Sequence, residues 1–396
     1  MNSVNTTVIR RDYFRKALSY KSIIILLYLM FSSPFLFAGI WFSNFLIPYF
    51  IKLILLILII IKILPYGLTS QSRFLIIFCC LYTLMNAFLH PNSAGQSIGD
   101  LQDILFAIFS WNLIKKTRNN ESFVAFLLMF SGIVAVLVVI ESGVFLLEPS
   151  LFSFKELVGY EVFHNTLLGI VSIDNLRPCW YFAEPSYCGA FLLWNIVLFR
   201  DYFFPSKKLK AVYYLFVLSA FFLTSSFGSF IAIGITFLIM VAKRVLRLNN
   251  SVVILGLFAA VILFLTVFQK QEFSDFDLLK THSLAARQER VEMGRELRSE
   301  MGAFDVLFGL GVNAATLKND IGLSDAYNKM YIENGIIYLL LYLLIVYKML
   351  KKDIIIFSAI ILSLINAIVQ IFPLTLFTIM IASLAVNNKI TFKRFS

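Results

Sequence analysis

The sequence predicts an all-α, polytopic integral membrane protein of about twelve transmembrane helices. Three observations carry that prediction. Of 396 residues, 60% are hydrophobic and only 14% are charged, roughly half the charged share of a soluble domain. Several apolar runs reach the ~18 residues that span a bilayer. The nine prolines and eighteen glycines are too few for a linker-rich or disordered chain. A soluble enzyme is excluded.

The spans read approximately as 22–40, 45–64, 74–89, 98–114, 122–147, 182–199, 211–224, 227–242, 251–268, 331–349, 354–371 and 374–387. With the N-terminus in the cytoplasm, 23 of the 34 Lys and Arg fall in cytoplasmic segments, against four acids (Asp12, Glu121, Asp201 and Asp353). The short outer turns near 41–44, 90–100, 224–229 and 371–374 hold no Lys or Arg. That is the positive-inside pattern, and it puts both termini in the cytoplasm. The net charge of +11 therefore orients the chain, and no nucleic-acid partner is expected. Residues 1–396 read as one transmembrane domain with two long extracytoplasmic loops, 148–181 and 269–330. The first apolar run lacks an A-x-A-like site and reads as a signal anchor. Internal repeats and low-complexity tracts are absent.

Cys79 and Cys80 lie inside a span and read as buried thiols. Cys179 and Cys188 flank the outer mouth of the sixth span, where a disulfide is open to them but not established by spacing. No Cys/His spacing resembles a zinc site, and His90, His164 and His282 are far apart in sequence, so no metal is expected.

Polar groups in membrane segments are costly and therefore informative. Asp100 and Asp103 open the fourth span, Glu141 falls near the outer end of the fifth, and Glu184 begins the sixth. Four carboxylates thus gather at one membrane level. Lys52, inside the second span, reads as a snorkelling or paired cation without an assigned role. In the second long loop, His282 to Met301 is helix-forming and proline-free. On a helical wheel Arg287, Arg290, Arg295 and Arg298 share one side, while Glu289, Glu292, Glu296 and Glu300 share the other. Leu297, Met301 and Phe304 lie beside the basic edge. Such a basic edge, turned toward the membrane mouth, suits an anion, because guanidinium forks match phosphate oxygens bidentately. A Gly309-Leu310-Gly311 turn follows, without the glycine spacing of a nucleotide site.

In their order along the chain these pieces resemble the O-antigen polymerase family within the O-antigen polymerase and ligase superfamily. The resemblance covers about 170–350 and rests on Arg177 with Phe182-Ala183-Glu184-Pro185-Ser186, on Thr224-Ser225-Ser226-Phe227-Gly228, on Ser283 to Arg290 with Gly309-Leu310-Gly311, and on Asn328 through Gly335 to Ile337. It implies a GT-C-like glycosyltransferase architecture in a bacterial inner membrane, with the active site facing the periplasm or cell exterior. It also implies polymerisation of lipopolysaccharide O-antigen repeat units carried on undecaprenyl diphosphate, without nucleotide, metal or other cofactor. A lipid-linked oligosaccharide and a chain-length regulator are the implied partners. Ligases of the superfamily carry a histidine where this chain has Tyr327, which favours the polymerase. The Ser-Arg pair expected after the seventh span is Ser226-Phe227 here.

The chemistry asks for fixed cations on a diphosphate leaving group and a positioned acceptor for an incoming hydroxyl. Arg177, Arg287, Arg290 and Arg298 are the candidate diphosphate ligands. Glu184 leads as catalytic base or orienting acceptor, followed by His282 and Glu141. Trp180, Tyr181, Tyr187, Tyr327 and Asn328 are the candidate glycan contacts. An O-antigen ligase and a lipid-linked oligosaccharide flippase are the alternatives; against the latter, no related halves are present and the ionisable groups avoid the midplane. The predicted sidedness has a direct test. In a chain lacking its native cysteines, Asn92→Cys should react with a membrane-impermeant maleimide in intact cells and Asn119→Cys should not; the reverse pattern inverts the topology.

Overall fold

The computed structural model describes residues 20–30, 46–117, 120–147, 164–165, 175–176, 182, 185–200, 204, 207–224, 227–246, 249–250, 252–253, 256–257, 259, 282–312, 314, 323, 325–364 and 373–388. Thirteen α-helices run among them: α1 (Tyr20–Met30), α2 (Leu46–Ile63), α3 (Ser70–Leu89), α4 (Ala94–Thr117), α5 (Asn120–Leu147), α6 (Pro185–Leu198), α7 (Lys207–Leu223), α8 (Phe227–Val245), α9 (His282–Glu300), α10 (Ala303–Phe308), α11 (Ala326–Leu350), α12 (Ile354–Ser363) and α13 (Pro373–Asn388). Strands β1 (His164–Asn165) and β2 (Asn175–Leu176) form a two-residue antiparallel ladder inside the first long loop.

Four of the described helices have a stretch long and apolar enough to cross a membrane: Ser70–Leu89, Val124–Val144, Gly228–Val245 and Ala326–Leu350. Their apolar residues do not all turn inward. On α3, Phe74, Ile77, Leu81, Leu84 and Phe88 are exposed, and on α8 so are Ile231, Phe237 and Leu238. Water would not tolerate such continuous apolar faces, whereas acyl chains do. The chain is a helical membrane protein. Predicted and observed helices agree within a few residues for most described spans, with three differences, the first being that α12 ends at Ser363, eight residues before the expected end of its span. Helix α4 starts at Ala94, after a 3₁₀ turn at Pro91–Ser93, so Asp100 sits in its second turn and not at its opening. Helix α11 starts at Ala326, five residues early, because Asp325 caps it by accepting the Asn328 N–H at 2.9 Å. The predicted ninth span falls mostly outside the described residues.

Helix packing is held by polar pins at helix ends. At the α3–α4 pair, Asn112 accepts from the Thr69 N–H at 3.1 Å and from Ser72 Oγ at 3.2 Å, and donates to the Gly67 carbonyl at 3.0 Å. Arg200 at the end of α6 pairs with Asp353 at 2.6 Å, and Asp353 also caps α12. In the core, Trp194 donates to Ser363 Oγ at 2.7 Å, joining α6 to α12. Ser131 and the Tyr213 hydroxyl, 2.8 Å apart, join α5 to α7.

The costliest pin lies deeper. Lys52 of α2 and Asp103 of α4 form an ion pair at 2.7 Å, with side chains 7% and 14% exposed. Tyr28 of α1 donates to the same carboxylate at 2.8 Å and stacks on Phe106 with ring centroids 3.6 Å apart. Lys52 therefore does not snorkel; it closes a three-helix joint. Removing one member strands the other charge, at a cost of about 3–5 kcal/mol. Asp103→Asn should sharply lower the melting temperature of the solubilised protein, and the double variant Lys52→Met with Asp103→Leu should recover most of the loss. Equal melting temperatures for wild type and Asp103→Asn would show the pair to be dispensable.

Candidate functional site

The last long helix is broken on purpose by its sequence. Within α11, Gly335 adopts φ 78°, a conformation that L side chains rarely take, so the helix kinks there. Carbonyls beside a kink need donors. They find them: the Leu310 N–H donates to Ile332 O at 2.7 Å, the Gly311 N–H donates to Glu333 O at 3.1 Å, and the Tyr82 hydroxyl donates to Asn334 O. Two segments quoted for the resemblance, Gly309-Leu310-Gly311 and Glu333-Asn334-Gly335, thus meet backbone to backbone.

The glycines make that approach possible. A Cβ on Gly309 would overlap the backbone of Glu333 and Asn334, and one on Gly335 would overlap that of Leu307 and Phe308. A Cβ on Gly311 would lie 2.8 Å from Cβ and Cγ of His90, which follows α3. A parallel contact ties two further segments: a Cβ on Gly189 of α6 would meet Ser229 Oγ at 2.6 Å and Thr224 Oγ1 at 3.2 Å. So the Pro185 helix packs against Thr224 at the end of α7 and Ser229 in the first turn of α8.

Helix α9 packs onto the first half of α11. Its contact face is apolar: Met293 and Leu297 are buried with Leu323 and Ile332 in a small core of their own, and Gly294 lets Leu323 approach. Arg290 and Arg298 flank that face half-buried, whereas Arg295, Glu292, Glu296 and Glu300 are exposed. The basic side is therefore split. Arg295 leaves it for solvent, and Arg298 Nε donates to the Gly294 carbonyl at 3.0 Å. Burial pulls the Arg298 guanidinium below its usual pKa, and Asp325 acts in the opposite direction. Phe304, expected beside the basic edge, is 52% exposed, because the helix ends at Glu300 and α10 starts anew after Gly302.

The remaining predicted site residues fall in three groups. Arg177, Trp180, Tyr181 and Glu184 lie outside the described residues, as do the side chains of His282 and Arg287. Glu141 is buried within α5, and Cys188 is a buried thiol in α6. Tyr327 and Asn328, the expected glycan contacts, lie inside the fold. Tyr327 is fully buried and donates to the Ile361 carbonyl at 2.6 Å, tying α11 to α12. Asn328 is buried and donates to Asp325 Oδ2 at 2.6 Å, completing the α11 cap. Tyr187 is half-buried and packs against the main core.

Beside the kink, α3, α4 and α11 line a small, half-open cleft. Phe78, Tyr82, Asn86, Asp100, Asn334 and Tyr338 are among its lining residues. Of these only Asp100 stands out in the sequence; the polar pair Tyr82 and Asn86, four residues apart inside an apolar span, is the signal that could have revealed the rest. Among the described residues, no group of three or more His, Cys, Asp or Glu side chains could hold a metal ion.

The chain matches no protein-family model and no curated protein. The backbone crossing has its own test. Gly335→Ala should destabilise by more than the ~1 kcal/mol of a strained positive φ, because its Cβ also meets backbone. Gly95→Ala, where a Cβ meets nothing, should be neutral or gain about 0.5–1 kcal/mol in its helix. Thermal melting of the two purified variants distinguishes them, and equal melting would dismiss the crossing as a constraint.

Proposed function

We propose that this protein is a bacterial polysaccharide polymerase of the inner membrane, with twelve spans and a GT-C-like architecture. It transfers a polyprenyl-diphosphate-linked glycan onto the non-reducing end of another lipid-linked repeat unit. The observation that carries the reading is the setting of α9: its acidic side faces solvent while Arg290 and Arg298 flank the face packed on α11. A helix merely solvated on all sides would not sort its charges this way. The motif order and the meeting of the Gly309 and Gly335 segments support the same reading.

In the reaction, the bond from the anomeric carbon to the diphosphate oxygen breaks, and an acceptor hydroxyl oxygen forms the new glycosidic bond. Its proton passes to a carboxylate, for which Glu184 is the first candidate, followed by His282 as imidazole base and Glu141. Polyprenyl diphosphate leaves. Arg177, Arg287, Arg290 and Arg298 are the cations proposed to stabilise it; preorganised charges act strongly where water is scarce. The diphosphate ester supplies the driving force, so no nucleotide is needed. The active site would face the periplasm or cell exterior, with a chain-length regulator as partner.

A gel profile of surface polysaccharide tests this. Deleting the gene should leave single repeat units on the lipid core, and wild type should restore long chains. Arg290→Ala and Glu184→Gln, at wild-type abundance, should each lower polymer formation by roughly 10²–10³-fold. Loss of the single-unit band, with polymer left on its carrier lipid, would indicate a ligase, and an unchanged profile a transporter.

A further inference from the structure

Helix α10 belongs by sequence to the second long loop, yet its make-up is not that of a loop in water. From Met301 to Leu317 the only charged residue is Asp305. That carboxylate is turned back on its own chain, where Oδ2 accepts the Gly302 N–H at 3.0 Å and starts the helix. What α10 presents outward is apolar. Phe304 and Leu307, three residues apart on one face, are 52% and 43% exposed, and Phe304 pairs with Phe308 at 4.8 Å between ring centroids. An exposed apolar face on a helix whose one charge is already spent implies contact with something other than water.

The backbone crossing sets the height of that face in the bilayer. Contacts pass from Tyr82 with Tyr338 to His90 beside Gly311, which is bonded to Glu333. Helices α3 and α11 are therefore antiparallel, and their basic ends lie on the same side: Arg73 in the first turn of α3, Lys348 and Lys351 at the end of α11. Gly335 is thirteen residues from Lys348 and sixteen from Lys351, which is roughly 20–24 Å of helix. His90 is seventeen residues from Arg73, roughly 25 Å. A hydrocarbon core is about 30 Å thick, so both marks stop about 5–10 Å short of its far boundary, and helix tilt lowers them further. The Gly309-to-Gly311 turn touches both marks, and Leu307 and Phe308 lie against Gly335 itself. Helix α10 is thereby held at the depth where interfacial helices bury an apolar face.

Its surroundings continue the same surface. Leu84 and Phe88 stay exposed up to the end of α3, and Leu340 and Leu344 are exposed on α11 beyond the kink. At this height the medium that meets such a surface is acyl chain. We propose that α10 is a re-entrant interfacial element whose Phe304 and Leu307 insert among the lipid acyl chains of the nearer leaflet. The second long loop is then attached to the bilayer as well as to α11, whatever reaction the protein carries out.

Spin-label accessibility tests this on the full-length protein, one copy per phosphatidylcholine nanodisc. In a cysteine-free chain, Phe304→Cys and Leu307→Cys carry a nitroxide in turn. Leu84→Cys, on the exposed face of α3, is the lipid reference, and Glu292→Cys, on the exposed acidic side of α9, is the aqueous one. Both α10 labels should collide with oxygen as freely as the lipid reference and should lose the contact with a water-soluble nickel chelate that the aqueous reference shows. Nickel contact at the aqueous level would overturn the insertion and return α10 to water. Shielding from both reagents would overturn it in favour of a covering protein surface. If the cysteine-free chain fails to fold, Phe304→Trp in the native sequence decides. The emission it adds over wild type should be lost in nanodiscs of brominated phosphatidylcholine, and its survival there would overturn the proposal.

Discussion

The kink at Gly335 is the constraint on which the rest of this end of the molecule depends. A helix inside a membrane domain can be interrupted only where something else satisfies the carbonyls beside the break. Here that something is a loop more than twenty residues earlier in the chain, held by two backbone N–H groups, and a tyrosine hydroxyl from α3. Once those three donors are committed, much else follows. The Gly309-to-Gly311 turn must lie against α11, so α10 packs beside it, and α9 docks its Met293–Leu297 face on the same helix. The described part of the long loop, α9 and α10, is thereby held against α11.

The same kink explains why three glycines cannot vary. Gly309 and Gly335 each have a positive φ and each would place a Cβ on the other segment's backbone. The two positions are two sides of one contact. Gly311 extends it to His90, so the α3–α4 turn belongs to the assembly as well. Away from this end, structure is secured differently. Side-chain pins such as Arg200 with Asp353 and Asn112 with the Gly67 turn hold helix termini, and they can be exchanged for other polar pairs at modest cost.

How much of this is legible in the sequence follows from its physics. Span positions are, because an apolar run of bilayer length has few alternative readings. The α9 helix is legible too, from charge periodicity, but which side packs is not: Met293, Gly294 and Leu297 meet Leu323 and Ile332 only through the fold. Tyr327 and Asn328 illustrate the limit. From the order of motifs they read as site residues, and the fold gives one a bond that ties α11 to α12 and the other a place in a helix cap. A motif's spacing shows that its residues are needed, without distinguishing a residue that builds the site from one that touches substrate. The cleft was invisible for the complementary reason. Its walls come from the consecutive helices α3 and α4 and from α11, over two hundred residues later, and only Asp100 differs enough from its neighbours to be noticed.

Asp100 and Asp103 make the distinction concrete. They sit three residues apart on one helix and read alike in the sequence. The fold gives Asp103 a lysine at 2.7 Å and a tyrosine at 2.8 Å, which neutralise it and turn it into a joint between α1, α2 and α4. Asp100, less than a turn away, receives no described hydrogen bond and lines open space. Keeping a carboxylate at this depth is costly, and a structural role would be expected to come with partners like those of Asp103. The contrast between neighbours on one helix is thus one of surroundings. It removes helix position, membrane depth and residue type as explanations, and leaves the partners that each side chain meets.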